Sequence, residues 1–520
     1  MDKKPSLNVS RSKSWIFIFN VAFAGLILCC GGVRAQDGSP ANELEALRSV
    51  VKQLEKSLEE VRARLAAMEQ KQPATAPTGV VVVVSPYTFP AGTTNAEAGT
   101  NYLIIAGQKI FLPPVAPFDA ADRSPIMDYN TFNNVQEPAP RPDNKPIDPA
   151  LKGFIPIPGT ETMIRFGGSA RLDAIYDFGD NGNPNQFIPS SIPVNGQPGS
   201  SGSDRTTLHT KGTRLSFEAR RPAGTEGRLR IFNENDFFND SSSSSMSFRV
   251  RHFYGQAWNI LIGQTYSAFM DVDAFPDVLD YAGPNAMINR RQPQLRYSPP
   301  IYDGLGKMHL IFSVEQPESD LSTTAIGMPA GAETISRAPD GVVGWRWEGG
   351  LGHVQAASIF RQIGYEADDA SDDNVFGWGV NLSGAFKIFE ADKFSWQAAY
   401  GEGIGRYVND LGSADLDAAP NSSGNLEAIP VFAGMIGYTH QWATQFRSTA
   451  SFGYIDADPS SSLGAFALEN TYYGSINLVW HPTPSFRMGL EYLYGRKETQ
   501  DGSDGTGHRL NFVLRYDLIR

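Results

Sequence analysis

The sequence predicts an all-β transmembrane barrel of about sixteen antiparallel strands, preceded by a short α-helical coiled coil. Three observations carry that expectation. From about residue 152 onward, apolar and polar residues alternate with period two in segments parted by turn-forming residues. Beyond the N-terminal segment no run approaches the ~20 apolar residues that a membrane helix needs, so a membrane-spanning form must be a closed barrel. Between 41 and 71, leucine and valine recur in steps of three and four.

The first 35 residues read as a secretory signal. Lys3, Lys4, Arg11 and Lys13 precede an apolar run from Trp15 to Leu28, and Val33-Arg34-Ala35 offers a cleavage site. Both cysteines, Cys29 and Cys30, fall inside it, so the mature chain is expected to carry no thiol. Export and a barrel together predict the outer membrane of a Gram-negative-type bacterium, with the N-terminal region in the periplasm.

Residues 41–71 place Leu44, Leu47, Val51, Leu54, Leu58, Val61, Leu65 and Met68 on one seam. That seam predicts a coiled coil about 40 Å long. Arg64-Leu65-Ala66-Ala67-Met68-Glu69 matches the R-h-x-x-h-E pattern of three-stranded coils, in which Arg64 meets Glu69 of a neighbour. A homotrimer is therefore expected. In 72–151 about one residue in six is proline, which excludes long helices and predicts an extended periplasmic tether. Val80 to Val84 is a β-prone run with Tyr102 to Phe111 as its candidate partner, so the tether is expected to carry a small hairpin.

The barrel is assigned to 152–520. Alternation is clear in Ile164 to Ala174, Arg214 to Glu218, Ser247 to Arg251, Phe446 to Tyr454, Tyr472 to Trp480 and Leu510 to Leu518. Alternation alone also fits a soluble sandwich. Aromatics at strand ends, such as Tyr176, Trp396, Tyr400, Tyr454, Trp480 and Tyr492, favour interfacial girdles. Short turns such as 481–484 and long Gly/Ser/Asp-rich loops such as 366–373 and 408–427 favour the two unlike rims of an outer-membrane barrel.

The formal charge of −12 argues against nucleic acid as a partner. Its distribution says more. Acids gather in the loops, as in Asp368 to Asp373, Asp410, Asp415 and Asp417, whereas arginines lie on the polar side of strands. If lipid bathes the apolar side, Arg165, Arg171, Arg214, Arg228, Arg230, Arg249 and Arg251 face the lumen, where cationic rings favour anions. Glu218, Glu234, Asp173 and Glu491 are candidate neutralising partners for them. The loop 266–291 is the long connection that carries Phe, Met, Val, Leu and Tyr, which predicts that it folds into the lumen. Arg290, Arg291 and Arg296 would then join Arg249 and Arg251 at a constriction. The competing expectation is a loop lying over the rim.

Several of these stretches carry a family likeness. Gly153-Phe154-Ile155-Pro156-Ile157-Pro158-Gly159-Thr160, leading into Gly167-Gly168 and Arg171-Leu172-Asp173-Ala174-Ile175-Tyr176-Asp177, resembles the start of the DcaP-type porin barrel. Arg249 to Gly255 followed by Leu261 to Thr265, and Arg291 to Tyr297, are similar to stretches of the same family. The resemblance covers most of 152–520 and the order signal, coiled coil, barrel. It implies a trimeric sixteen-stranded porin for dicarboxylates and similar anions, with cations at a loop-narrowed constriction.

No enzyme is expected. The histidines are scattered without an H-x-x-x-H pair, no G-x-S-x-G elbow is present, and Gly401-Glu402-Gly403-Ile404-Gly405 lacks the strand–turn–helix setting of a phosphate cradle. Neither cofactor nor metal is implied; the expected partners are outer-membrane lipid and small anionic solutes. The competing function is a structural one, an outer-membrane protein that tethers envelope layers and conducts little.

Overall fold

The computed structural model describes 102–105, 108–111 and 154–518, apart from 223–227, 240–244, 305, 369–370, 390 and 413. The expected signal (1–35), coiled coil (41–71) and nearly all of the tether lie outside the described residues. The chain divides into two compact units, 1–118 and 119–520. In the first, Tyr102–Ile105 pairs antiparallel with Gln108–Phe111, so the two halves of 102–111 form their own hairpin.

In the second unit, the described residues form a closed antiparallel barrel of sixteen strands. The first eight are β1 (Met163–Phe178), β2 (Arg205–His209 and Arg214–Pro222), β3 (Arg228–Asp236), β4 (Arg249–Ala257), β5 (Ile260–Tyr266), β6 (Arg291–Tyr297 and Pro300–Asp303), β7 (Lys307–Glu315) and β8 (Glu333–Ile335 and Asp340–Gly349). The second eight are β9 (Gly352–Glu366), β10 (Asp372–Ile388), β11 (Asp392–Glu402), β12 (Pro430–Ala443), β13 (Phe446–Ala457), β14 (Leu468–Thr483), β15 (Phe486–Thr499) and β16 (Asp504–Asp517). Closure is made by β16 on β1, in register from His508↔Phe178 to Asp517↔Ser169.

The sheet is inside out compared with a soluble sandwich. Leu215, Ile231, Phe253, Leu295, Phe312, Ile436, Phe452 and Ile476 are exposed on its outer face, while Arg487, Arg509 and Arg515 are among the largest fully buried side chains. Closure leaves no unpaired edge, which a wall bathed in hydrocarbon requires. Exposed Trp258, Tyr302, Phe389, Trp442 and Tyr516 mark one rim, and Phe376 and Tyr400 lie toward the other. Aromatics at these levels suit a membrane interface.

One rim is made of tight turns. Between β4 and β5 the two turn residues, Trp258 and Asn259, both take positive φ (49° and 65°), the twist that a two-residue hairpin favours. The opposite rim carries the longer connections. The expected long loop at 366–373 is instead short, because β9 runs on to Glu366 and β10 begins at Asp372, pairing residue for residue.

Candidate functional site

The loop 267–290, between β5 and β6, lies inside the barrel, and its contacts trace its path around the wall. Its neck is closed by the Ser267 amide on the Arg290 carbonyl at 2.9 Å. The Ala268 amide donates to Glu315 of β7 (2.7 Å), and Asn381 of β10 donates to the Phe269 carbonyl (2.8 Å). Asp271 meets Arg346 of β8 at 2.9 Å, His353 of β9 at 2.9 Å and Ser383 of β10 at 2.8 Å. Lys393 of β11 donates to the carbonyls of Asp273 and Phe275, and Asp277 pairs with Arg447 of β13. At the far wall, the Leu279 and Asp280 amides donate to Glu491 of β15 at 3.0 and 2.7 Å. The loop then reaches β1 to β4: Arg171 donates to the Leu279 carbonyl, and the Tyr281 hydroxyl meets Arg214, Arg251 and Asp236. Glycine on the wall makes room for it. A Cβ at Gly437 would stand 2.6 Å from Pro276, and one at Gly489 2.6 Å from Leu279.

The connection 403–429, between β11 and β12, also turns inward and pairs with this loop. The Asn289 amide donates to the Tyr407 carbonyl at 2.9 Å, and the Asn409 amide donates to the Met287 carbonyl at 2.8 Å. Arg361 of β9 anchors the connection through Asp417 (3.0 Å) and holds Asp340 (3.1 Å), which accepts from the Tyr407 hydroxyl at 2.6 Å. Together the two segments bury Phe269, Ile288, Ile404, Tyr407, Val408, Leu411 and Leu416 against apolar inward residues of β7 to β13.

What the two loops leave open is a cavity of about 690 Å³. Among the described residues its lining holds seven basic side chains: Arg214, Arg249, Arg251, Arg290, Arg291, Arg406 and Lys497. Only one acid, Asp410, joins them. Burial raises the Asp410 carboxyl above its ordinary value, against the hydrogen bonds it receives from Ser190 and Thr471.

Five of the residues singled out from sequence, Arg214, Arg249, Arg251, Arg290 and Arg291, thus share one cavity. Four others are placed elsewhere. Arg165 and Arg230 both pair with Glu218, at 2.6 and 2.8 Å, and Arg230 also reaches the Tyr254 hydroxyl. Arg171 pairs with Asp173. Arg296 donates to Gln294 and to the Tyr266 carbonyl, bracing the root of the loop. The side chain of Arg228 and the coiled-coil residues Leu44 to Glu69 lie outside the described residues. Glu491, a candidate partner for arginine, instead receives the loop's backbone amides.

Sequence reasoning missed Arg406 and Lys497. Alternation through Glu491, Leu493, Gly495 and Lys497 could have placed the lysine inward. Arg406 had no such signal, because it sits on a loop rather than a strand. Ligand atoms of Asp271, Asp273 and His353 lie within 4.8 Å of one another, a spacing that could suit a metal ion. Arg346 already pairs with both carboxylates, at 2.9 and 2.7 Å, so that cluster serves as an anchor for the loop.

A closed barrel with an apolar exterior, aromatic rims and an inward loop around a polar cavity defines an outer-membrane β-barrel channel. The chain belongs to the DcaP outer membrane protein family, which it matches over residues 149–518. Among solved structures it is similar to the outer membrane channel DcaP of Acinetobacter baumannii, at 24% identity and a TM-score of 0.60 over 70% of this chain and 99% of that one. A weaker likeness is to the anion-selective porin of Comamonas acidovorans, at 11% identity and a TM-score of 0.45 over 69% of this chain and 100% of that one. No curated protein matches the sequence.

Proposed function

We propose that this barrel lets small anionic solutes, dicarboxylates among them, diffuse passively through an arginine-lined lumen. The observation that carries the reading is the cavity wall, with seven basic side chains and one acid among the described residues. In a narrow aqueous passage, fixed charge of one sign raises the local concentration of the opposite sign and excludes its own. Guanidinium forks suit carboxylates and, kept in contact with water, release them again. Arg214, Arg249, Arg251, Arg290 and Arg291 are the proposed pore residues; Arg165, Arg171, Arg230 and Arg296, outside the cavity lining, brace the wall through Glu218, Asp173 and Gln294. The working form we propose is a homotrimer, with its N-terminal coiled coil (Leu44 to Glu69) in the periplasm.

Planar-bilayer recording in a KCl gradient tests this. The reversal potential is expected to report anion preference, and replacing Arg249 and Arg251 together by alanine should move it toward zero. An unchanged potential in that variant would remove both residues from the selectivity mechanism. The apolar packing of the two loops favours a second reading, a tethering protein of low conductance. Single-channel conductance near zero at high salt would support that alternative.

A further inference from the structure

Five of the seven cavity cations are ion-paired with acids that do not themselves line the cavity. Arg214 pairs with Glu234 (3.4 Å), Arg249 with Asp236 (2.7 Å), and Arg251 with both acids (2.8 and 3.1 Å). Arg290 pairs with Glu318, and Arg406 with Glu318 and Asp340. Among the described residues, Arg291 and Lys497 are the two cavity cations whose side chains have no carboxylate within 4.0 Å and make no hydrogen bond; Arg291 lies over the Tyr266 ring. A solute carboxylate gains most where no protein carboxylate competes for the donor. The two are also far apart. Arg291 opens β6 and Lys497 is on β15, seven strands away counted through β1 and β16 in a ring of sixteen. The acid that faces Lys497 is Asp410. Its oxygens are taken by the Ser190 amide at 3.0 Å and the Thr471 hydroxyl at 2.8 Å.

We infer that Arg291 and Lys497 are the two solute-binding residues of the cavity, gripping a permeating anion from opposite walls. The five ion-paired cations shape the field around it. This rests on the anion-channel reading and assigns its binding step to two side chains. A solute with an anionic group at each end engages both residues, and a monoanion engages one.

The test is block of chloride current by malonate and by acetate in planar bilayers. Arg291→Gln and Lys497→Gln should each raise the half-blocking malonate concentration about tenfold, the size of one charge-assisted hydrogen bond. Lys497→Arg should restore it. Arg337→Gln, on the exposed loops, should leave it unchanged. No shift in either glutamine variant would overturn the inference, and a shift in only one would overturn the two-walled site. If the wild-type channel shows no anion preference in a KCl gradient, the channel reading fails and this inference falls with it.

Discussion

From β7 to β13 the inward side of the wall carries Ile311, Val342, Ile359, Ala399, Val431, Met435 and Ile455, all buried. From β15 through β1 to β4 the same side carries Glu491, Arg509, Arg515, Arg171, Asp173, Arg214, Glu218, Glu234 and Arg251, equally buried. The first sector is an apolar core completed by the inward loops and interleaved with buried polar anchors such as Arg346, His353, Arg361 and Lys393. The second is a lattice of ion pairs that borders the cavity. One barrel thus uses two inward chemistries: the first buries the loops' apolar side chains, and the second holds the loop tip by hydrogen bonds and borders the cavity. Among the described residues, the strand residues that line the cavity come from β2, β4, β5, β6, β14 and β15, and none from β7 to β13, where the inward loops pack.

The contrast can be broken most forcefully in the apolar sector. Phe269 is fully buried there, so Phe269→Ala should cost about 3–5 kcal/mol, read as the midpoint of unfolding in detergent. A cost below about 1 kcal/mol would mean the loop is not a core element. In the polar sector each acid has more than one donor. Arg251→Ala leaves Glu234 with Arg214, and Asp236 with Arg249 and Tyr281. Its stability cost should be smaller, about 1–3 kcal/mol, while anion over cation permeability falls.

A third, smaller effect is a pH dependence. The Asp320 amide donates to Asp417, and burial together with Asp417 and Asp415 pushes the Asp320 carboxyl up to about 7. A carboxyl with a folded value above its ordinary 3.8 binds its proton more tightly in the native state. Stability from this contact is therefore full at low pH and declines as pH rises through about 4 to 7. Asp320→Asn should match the wild type in acid and exceed its melting temperature above about pH 8. A wild-type melting curve that rises over that window would reverse the sign. The smallest effect belongs to Arg337, half-exposed beside Glu366 and Asp372. Arg337→Gln should shift stability by no more than about 0.5 kcal/mol.

The polar sector was legible because ionic and apolar residues alternate there at period two, as in Arg171-Leu172-Asp173-Ala174. The inward loop was legible from its apolar content, since Phe269 and Val272 would not dangle in water. The hydrocarbon sector was hidden. Val354-Gln355-Ala356-Ala357-Ser358-Ile359 reads as weakly amphipathic, because lipid and the packed loops demand the same kind of side chain on both faces. Acids at 408–427 read as a water-facing loop, yet Asp410 and Asp417 are buried, paired with groups hundreds of residues or dozens of residues away in sequence. Such pairings leave no local mark. Nor does sequence show which arginines meet an acid, and that decides which ones are left to a solute.

The division of the lumen is tested most directly by thiol accessibility in a chain whose Cys29 and Cys30 are replaced by serine. Asn289→Cys lines the cavity, and Ile455→Cys points inward into the packed sector. A water-soluble anionic thiol reagent should label the first rapidly, with loss of current, and leave the second untouched in the folded barrel. Equal labelling of both would contradict the division of the lumen into a packed half and an open one.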